Sequence, residues 1–389
     1  MKKKKILIVS KNDKLKSSLV KTGYFSDIII SGGTRSKVPD GINILIVDDK
    51  TISYSQYLQD YFIYFKQVKS NFYIASDQDT YLSIYKNLSS YGIIVLPPKL
   101  TGTQIAQRIC EATVDEDLPS KSVTGFFGAG PGCGVSIVSQ SVAQKLSNIT
   151  GKNVALLVLS GSEGADYVKS DGGSYGLSEI KDRLINSILS AEELKSACIK
   201  NENLYILPGE KNILKIRHYY PEHIEKLVNL SLETFDVVML NCGNKVTGMS
   251  IGGLNSSGPK YLITTQSDRY FRNFKKLEEQ ILSQLGISAA DFYLIVNKYI
   301  DSDELKSEVD LAKDYHIHLS GVIPLVDYIL SIVAERDKKI LSDLDQYYRN
   351  SINQIANTVA DKLKIEILES KKDSRNFKSF IGKLLGSRK

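Results

Sequence analysis

Apolar residues in this chain recur as short, nearly continuous runs with helical segments between them. KILIVS, DIIIS, NILIVDD, NFYIAS and GIIVLPP divide the chain up to about residue 112. Each run is rich in β-branched residues and alternates little, as parallel strands covered on both faces do. A second series follows: SVTGFFG, NVALLVLS, NLYILPG, FDVVMLN, KYLITT, DFYLIVN and HLSGVIP. Strand alternating with helix predicts an α/β fold of doubly wound parallel sheets. Two domains are expected, a flavodoxin-like one over 1–113 and a larger one over 123–368. Between them VDEDLPSKS, residues 114–122, is acidic and broken by proline, and reads as a linker. From Lys338 a helical stretch sets Ile352, Ile355, Val359 and Leu363 on one face, to pack on the second sheet. Residues 369–389 form a basic tail.

Composition narrows the function classes. A chain of 389 residues with 42% hydrophobic and 24% charged residues is ordinary globular material for two or three domains. Basic residues outnumber acidic ones by 50 to 44, and a net charge of +6 is too small to argue for nucleic acid. No helix-turn-helix or basic recognition helix stands out, so no specific nucleic-acid partner is expected. Cys110, Cys133, Cys198 and Cys242 form no CxxC pair, and the histidines show no metal spacing. His316 and His318 flank Ile317 and alternate as on a strand. Scattered cysteines fit a reducing cytoplasm. The N-terminal MKKKKILIVSKND is basic, then apolar, and Ile6–Val9 is far too short for a secretory or membrane-spanning segment.

In the first domain, Asp48 and Asp49 close the third run, Ser76 closes the fourth, and Lys99 follows the fifth in LPPKLTG. In these positions the domain resembles a response-regulator receiver, and the resemblance assigns the four residues to a phosphate-accepting pocket. The first strand breaks the pattern. Receivers end it in acidic residues that hold magnesium, whereas VSKND places Ser10 and Lys11 there. A hard divalent ion needs carboxylate oxygens, and a lysine repels it. Asp48 and Asp49 equally suit turn or helix-capping roles. The expectation is a receiver-like docking module that takes no phosphate.

The second domain opens on TGFFGAGPGCGVSIVSQSVAQKL, Thr124 to Leu146: an apolar run, a glycine-rich turn and an apolar-periodic helix. A phosphate loop aims backbone N–H groups and a helix N-terminus at the anion. Its lysine neutralises the β/γ-phosphates and its Ser/Thr meets magnesium. On that template Ala129 stands at the first glycine, Gly134 at the second, Val135 at the lysine and Ser136 at the hydroxyl. The loop resembles the deviant Walker A motif of the MinD/ParA superfamily, K-G-G-x-G-K-[ST]. In that frame the chain reads Gly130, Pro131, Gly132, Cys133, Gly134, Val135, Ser136, and enters its helix at Ile137. Both motif lysines are gone, replaced by Gly130 and Val135, and Pro131 removes one backbone N–H.

The resemblance continues beyond the loop. VALLVLSGSEGAD places Ser160 and Ser162, with Glu163 and Asp166 nearby, where superfamily members carry aspartates for water and magnesium. FDVVMLNCGN resembles the Walker B strand with Asn241 for its aspartate. YLIVNKY and GVIPLVDYI put Asn297 and Pro324 where members contact the base; a helix cap and a strand-end turn are their plainer readings. The resemblance therefore implies ATP held by Gly130, Gly132, Cys133, Gly134, Val135, Ser136, Ile137, Asn297 and Pro324, with magnesium at Ser136. It supplies no catalytic residue, because Val135, Ser160 and Asn241 are degenerate positions.

A receiver-like domain followed by a MinD-like domain is similar to the TadZ/CpaE family, pilus-assembly proteins that mark the pole for type IVc (Flp/Tad) machinery. Residues Asn201 to Asn244, with an LPG turn, an acidic helix and the altered Walker B strand, also resemble that family. The resemblance covers most of residues 1–340. It implies a localisation or scaffold protein with a pseudo-ATPase domain, a homodimer, and pilus or secretion assembly partners such as a hexameric ATPase. Loss of both lysines and the aspartate exceeds that family's usual pattern. Two other readings stay open: a slow ATPase switch cycling between monomer and dimer to position a cell-envelope machine, and a signalling output protein under receiver control. Val135 and Gly130 weigh against the first, Ser10 and Lys11 against the second.

The chain ends ESKKDSRNFKSFIGKLLGSRK, in which Phe377, Phe380, Ile381, Leu384 and Leu385 make one helical stripe ringed by lysine and arginine. Such an end suits an anionic membrane surface, a partner's groove, or the protein's own core. Gly382 and Gly386 weaken a free helix by roughly 1 kcal/mol each, which suits a segment that orders on binding. The expected location is the cytoplasm, with the inner face of the cell membrane reachable through this tail.

Overall fold

The structure is a computed structural model that describes residues 4–33, 39, 41–60, 68–113, 122–161, 176–326 and 346–368. The chain divides into two compact units, one of residues 1–119 and 272–291, the other of 120–271 and 292–389.

Five parallel strands build the first unit: β1 (Lys4–Val9), β2 (Phe25–Ser31), β3 (Ile44–Asp48), β4 (Ser70–Ile74) and β5 (Ile93–Leu96). Their order, β2-β1-β3-β4-β5, is the flavodoxin-like one. The lack of alternation in the runs has a direct cause, because successive residues feed two cores. Ile6, Ile8, Ile44, Ile46 and Phe72 pack with Leu15, Leu19 and Ile109. Leu7, Val9, Leu45, Val47 and Tyr73 pack with Tyr57, Ile84 and Leu88. Nothing in the run pattern sets Arg272–Asp291 apart, yet this segment clusters with the first unit. There Arg108 donates to the Gly286 carbonyl at 2.6 Å, and Lys99 Nζ to Gln284 Oε1 at 2.9 Å.

Eight strands build the second unit: β6 (Val123–Gly128), β7 (Val154–Val158), β8 (Ile199–Asn201), β9 (Leu204–Leu207), β10 (Val237–Asn241), β11 (Lys260–Thr264), β12 (Phe292–Tyr299) and β13 (His318–Pro324). Their order is β13-β12-β11-β6-β10-β7-β9-β8, all parallel except β8, which forms an antiparallel hairpin with β9. The NLYILPG run thus supplies only half of a hairpin. Helices Val135–Thr150 and Gln346–Lys362 contribute to one core. Ile352, Ile355, Val359 and Leu363 are all buried there, as their spacing predicts. The α/β class with two parallel-sheet units is as expected.

Residues 114–121 of the expected linker, Ser162, Glu163 and Asp166, and the tail stripe of Phe377, Phe380, Ile381, Leu384 and Leu385 lie outside the described residues. Among the described residues, no helix is long and apolar enough to cross a membrane.

Candidate phosphate-loop site

Parallel strands bring their C-terminal ends to one edge of the sheet, where α/β proteins place ligands. The glycine-rich loop leaves β6 at that edge. Gly128 N donates to Gly243 O at 2.8 Å and Ala129 N to Ile263 O at 2.9 Å, so the chain enters the loop pinned between β10 and β11. Gly134 caps helix Val135–Thr150 with φ of 97°, a left-handed backbone that favours glycine, and no side chain caps the helix. The first N–H groups of a helix lack intrahelical acceptors. Those of Ser136 and Ile137 are therefore left for an anion or solvent, while the Val135 N–H faces the Cys133 thiol.

Three successive loop carbonyls are each held by a side chain from elsewhere. Tyr270 OH donates to Pro131 O at 2.6 Å, Lys298 Nζ to Gly132 O at 2.9 Å, and Asn297 Nδ2 to Cys133 O at 2.8 Å. A trans peptide points its C=O and its N–H in opposite directions. Holding these carbonyls turns the N–H groups of Gly132, Cys133 and Gly134 the other way, and Cys133 N reaches Gly130 O at 3.4 Å. These three side chains fix the shape of the loop. The superfamily resemblance implies a base contact for Asn297; its amide nitrogen lies on the loop, with the residue buried. Pro324 closes β13, opposite Tyr299 of β12 in register. Tyr270 and Lys298 were not foreseen. Lys298 directly follows Asn297, which is the one local signal that pointed to it.

The residue at the lysine position faces inward. Val135 is buried in the core with Cys133, Val138 and Phe126. A Cβ added to Gly128 would lie 2.5 Å from Val135 Cγ2 and 2.6 Å from Cys133 Sγ. Burial pushes the Cys133 thiol pKa up, against the loop's hydrogen bonds and the nearby Lys298 charge.

Asn241, fully buried at the end of β10, donates through Nδ2 to Ser136 Oγ at 3.1 Å, and its Oδ1 accepts from Gly243 N at 3.1 Å. The Walker A hydroxyl and the Walker B position are thus in contact, as a neutral pair. Ser160 follows β7, and a Cβ on Gly243 would lie 2.8 Å from Ser160 Cα. Ser160 Oγ is buried with no hydrogen-bond partner among the described residues. Free helix N–H groups and the Ser136 hydroxyl fit a phosphate. They fit magnesium poorly. Among the described residues only Ser136 Oγ stands at the metal position, with an amide N–H already directed at it. No group of three His, Cys, Asp or Glu residues that could hold a metal occurs among the described residues.

In the first unit, Ser10 Oγ donates to Asp48 Oδ2 at 2.7 Å and Lys50 N to Asp48 Oδ1 at 3.1 Å. Tyr73 OH and Ser76 Oγ donate to the two oxygens of Asp49. Asp48, Asp49 and Ser76 therefore do come together. Lys99 forms no ion pair with them among the described residues; its ammonium donates to Gln284. Lys11 is exposed, its backbone N–H on Thr51 Oγ1 at 3.1 Å.

No family model matches this sequence, and no curated protein matches it. Solved structures do. A ParA family ATPase from Chlorobium tepidum TLS superposes with a TM-score of 0.55 at 18% identity, over 61% of this chain and 99% of that one. The cell division ATPase MinD of Pyrococcus furiosus gives 0.51 at 15%, over 63% and 99%. An ATP complex of a variant of Cyanothece McdA gives 0.50 at 15%, over 64% and 100%. The covered share is about the size of the second unit. At such identities the likeness speaks for the fold alone: this chain contains the P-loop fold of the MinD/ParA ATPases.

Proposed function

We propose that this protein is a localisation or scaffold factor of the TadZ/CpaE kind for type IVc pilus assembly, with a P-loop domain that binds ATP weakly and does not hydrolyse it. The observation that carries the loss of hydrolysis is the Asn241–Ser136 pair. A hydrolysing site needs a negative charge there to hold the magnesium shell, and an amide has none. The built loop, with three carbonyls clamped and a helix N-terminus uncapped, supports retained phosphate binding. The order of the two α/β units and the Asn201–Asn244 segment support the pilus assignment through resemblance.

The test is calorimetric titration of the full chain with ATP, with and without magnesium, beside a phosphate-release assay. Binding without turnover is expected. Magnesium-dependent turnover would favour the slow ATPase switch, and absence of binding would leave a scaffold without a nucleotide. The pilus role is tested by co-purification with the machine's hexameric ATPase and by polar fluorescence of a tagged chain. For the tail we propose attachment to anionic membrane, with sedimentation on anionic liposomes that is lost when residues 371–389 are deleted. On this reading we propose a cytoplasmic protein, peripheral to the inner face of the membrane, that forms a homodimer.

A further inference from the structure

Helices in globular proteins draw most of their stability from apolar residues laid on the core. The 3₁₀ helix Ile213–His218, between β9 and helix Pro221–Thr234, has no buried residue. Ile213 is 76% exposed and Leu214 71%, the highest values of any large apolar side chain among the described residues, and Tyr220 follows at 60%. The stretch KNILKIRH, residues 211–218, holds Lys211, Lys215 and Arg217 and no carboxylate. Lys211 is paired with Glu179 at 2.6 Å. Lys215 and Arg217 form no ion pair among the described residues.

This outward turn stands on a built base. The buried Glu210 accepts from Asn212 N at 2.9 Å and from Tyr219 OH at 2.7 Å, which closes the loop from both ends. Asn212 Oδ1 in turn accepts from Leu214 N at 3.0 Å. A Cβ on Gly161 would lie 3.0 Å from Ile216 Cδ1, so Ile216 rests just past the end of β7 while Ile213 and Leu214 stand in water. A loop fixed in this way loses little entropy on making a contact. Exposed apolar groups rimmed by charge mark contacts with a protein or a membrane. An anionic bilayer meets both features at once, with hydrocarbon for the aliphatic tip under a layer of negative phosphates for the cations. The C-terminal stretch repeats this chemistry, and one weak anchor holds a protein only reversibly, so that lasting attachment takes two.

We propose that the loop 211–218 is a second membrane contact, inserting Ile213 and Leu214 among anionic lipids with Lys215 and Arg217 at their phosphates.

The test keeps the tail and titrates the full chain with vesicles of equal phosphatidylglycerol and phosphatidylcholine, and with phosphatidylcholine alone. Replacing the tip (Ile213→Ser with Leu214→Ser) should weaken sedimentation on the anionic vesicles by about tenfold or more. Replacing the cations (Lys215→Gln with Arg217→Gln) should weaken it by about tenfold. Thermal melting should match wild type in both, since none of the four side chains is buried. A fluorophore on Leu214→Cys, in a chain with Cys198→Ser, should shift to the blue on anionic vesicles and be quenched by brominated acyl chains. Sedimentation unchanged in the tip variant, or a fluorophore that stays in water while the chain sediments, would overturn the proposal and leave the tail as the membrane anchor. A blue shift that follows protein concentration without lipid would also overturn it, assigning the loop to a second copy of the chain. A wild type that stays off anionic vesicles would overturn this contact and the tail's together.

Discussion

Asn297 Nδ2 lies 2.8 Å from the carbonyl oxygen of Cys133, tying the end of β12 to the turn that opens helix Val135–Thr150. The fit is tight: a Cβ on Gly134 would lie 2.2 Å from the same amide nitrogen. One buried side chain therefore decides the direction of the Cys133–Gly134 peptide, and so where the Gly134 N–H points.

Asn297→Asp tests that bond with almost no change of shape. An ionised carboxylate has no proton to give Cys133 O and sets oxygen against oxygen. At neutral pH the variant should lose about 1–3 kcal/mol in urea unfolding. Protonation restores a donor, so the folded state favours the neutral acid and raises its pKa above the unfolded value. The variant should then recover stability as pH falls through that raised pKa, relative to wild type. Equal stability of variant and wild type at neutral pH would remove the loop-shaping role.

The contact between Gly128 and Val135 is open to a double-mutant cycle. Gly128→Ala drives a methyl to 2.5 Å from Val135 Cγ2 and should cost about 1–3 kcal/mol by overpacking. Val135→Ala leaves a cavity and costs its own share. Together they should cost less than their sum by about 0.5 kcal/mol or more. Cys133 Sγ, 2.6 Å from the same added methyl, keeps the relief partial. Strict additivity in denaturant melts would show that Val135 can turn away from the core.

Runs such as Ile6–Val9 and Val154–Val158 were legible because every residue in them is buried, on alternating sides. β8 was not: Ile-Lys-Asn is three residues at a sheet edge, and its pairing depends on a turn through Glu202 with φ of 52°. The loop's glycines and Ser136 could be read because a phosphate loop is local in sequence. Tyr270 and Lys298 act from 139 and 166 residues away. Neither carries a sequence mark of its reach, since the left-handed turn at Lys298 uses neither glycine nor asparagine. Lys99 has a spacing from Asp49 that suits a receiver, while its hydrogen-bond partner, Gln284, belongs to a segment much later in the chain that no local pattern announces.

The acid pair of the first unit should resist phosphorylation. Asp49 accepts from Tyr73 and faces the Ser76 hydroxyl, which also lies on Asp77; Asp48 is bonded to Ser10; and Lys99, bonded to Gln284, forms no ion pair with either acid among the described residues. Burial and the Asp49 hydrogen bond push the Tyr73 pKa well up, which keeps it a donor through the ordinary pH range. Incubation with acetyl phosphate and magnesium should leave the intact mass unchanged. A phosphoryl adduct lost on Asp49→Asn would contradict this account.

Asn241→Asp should partly reverse the loss at the second site. The new carboxylate still accepts from Gly243 N, but Ser136 would now donate to it, which frees the Oγ lone pairs that Asn241 occupies. A magnesium ion gains both a nearby negative charge and an available hydroxyl oxygen. ATP affinity measured with magnesium, relative to EDTA, should rise by about tenfold in the variant while staying near unity in wild type. Without magnesium the buried charge should cost about 1–3 kcal/mol of stability, recovered at acid pH as the carboxyl takes a proton in the folded state. Phosphate release should stay at background in both proteins, because neither Val135 nor Gly130 can supply a motif lysine. A wild-type chain that already binds ATP more tightly with magnesium than in EDTA, by the same ratio as the variant, would show that the metal is held by groups other than residue 241.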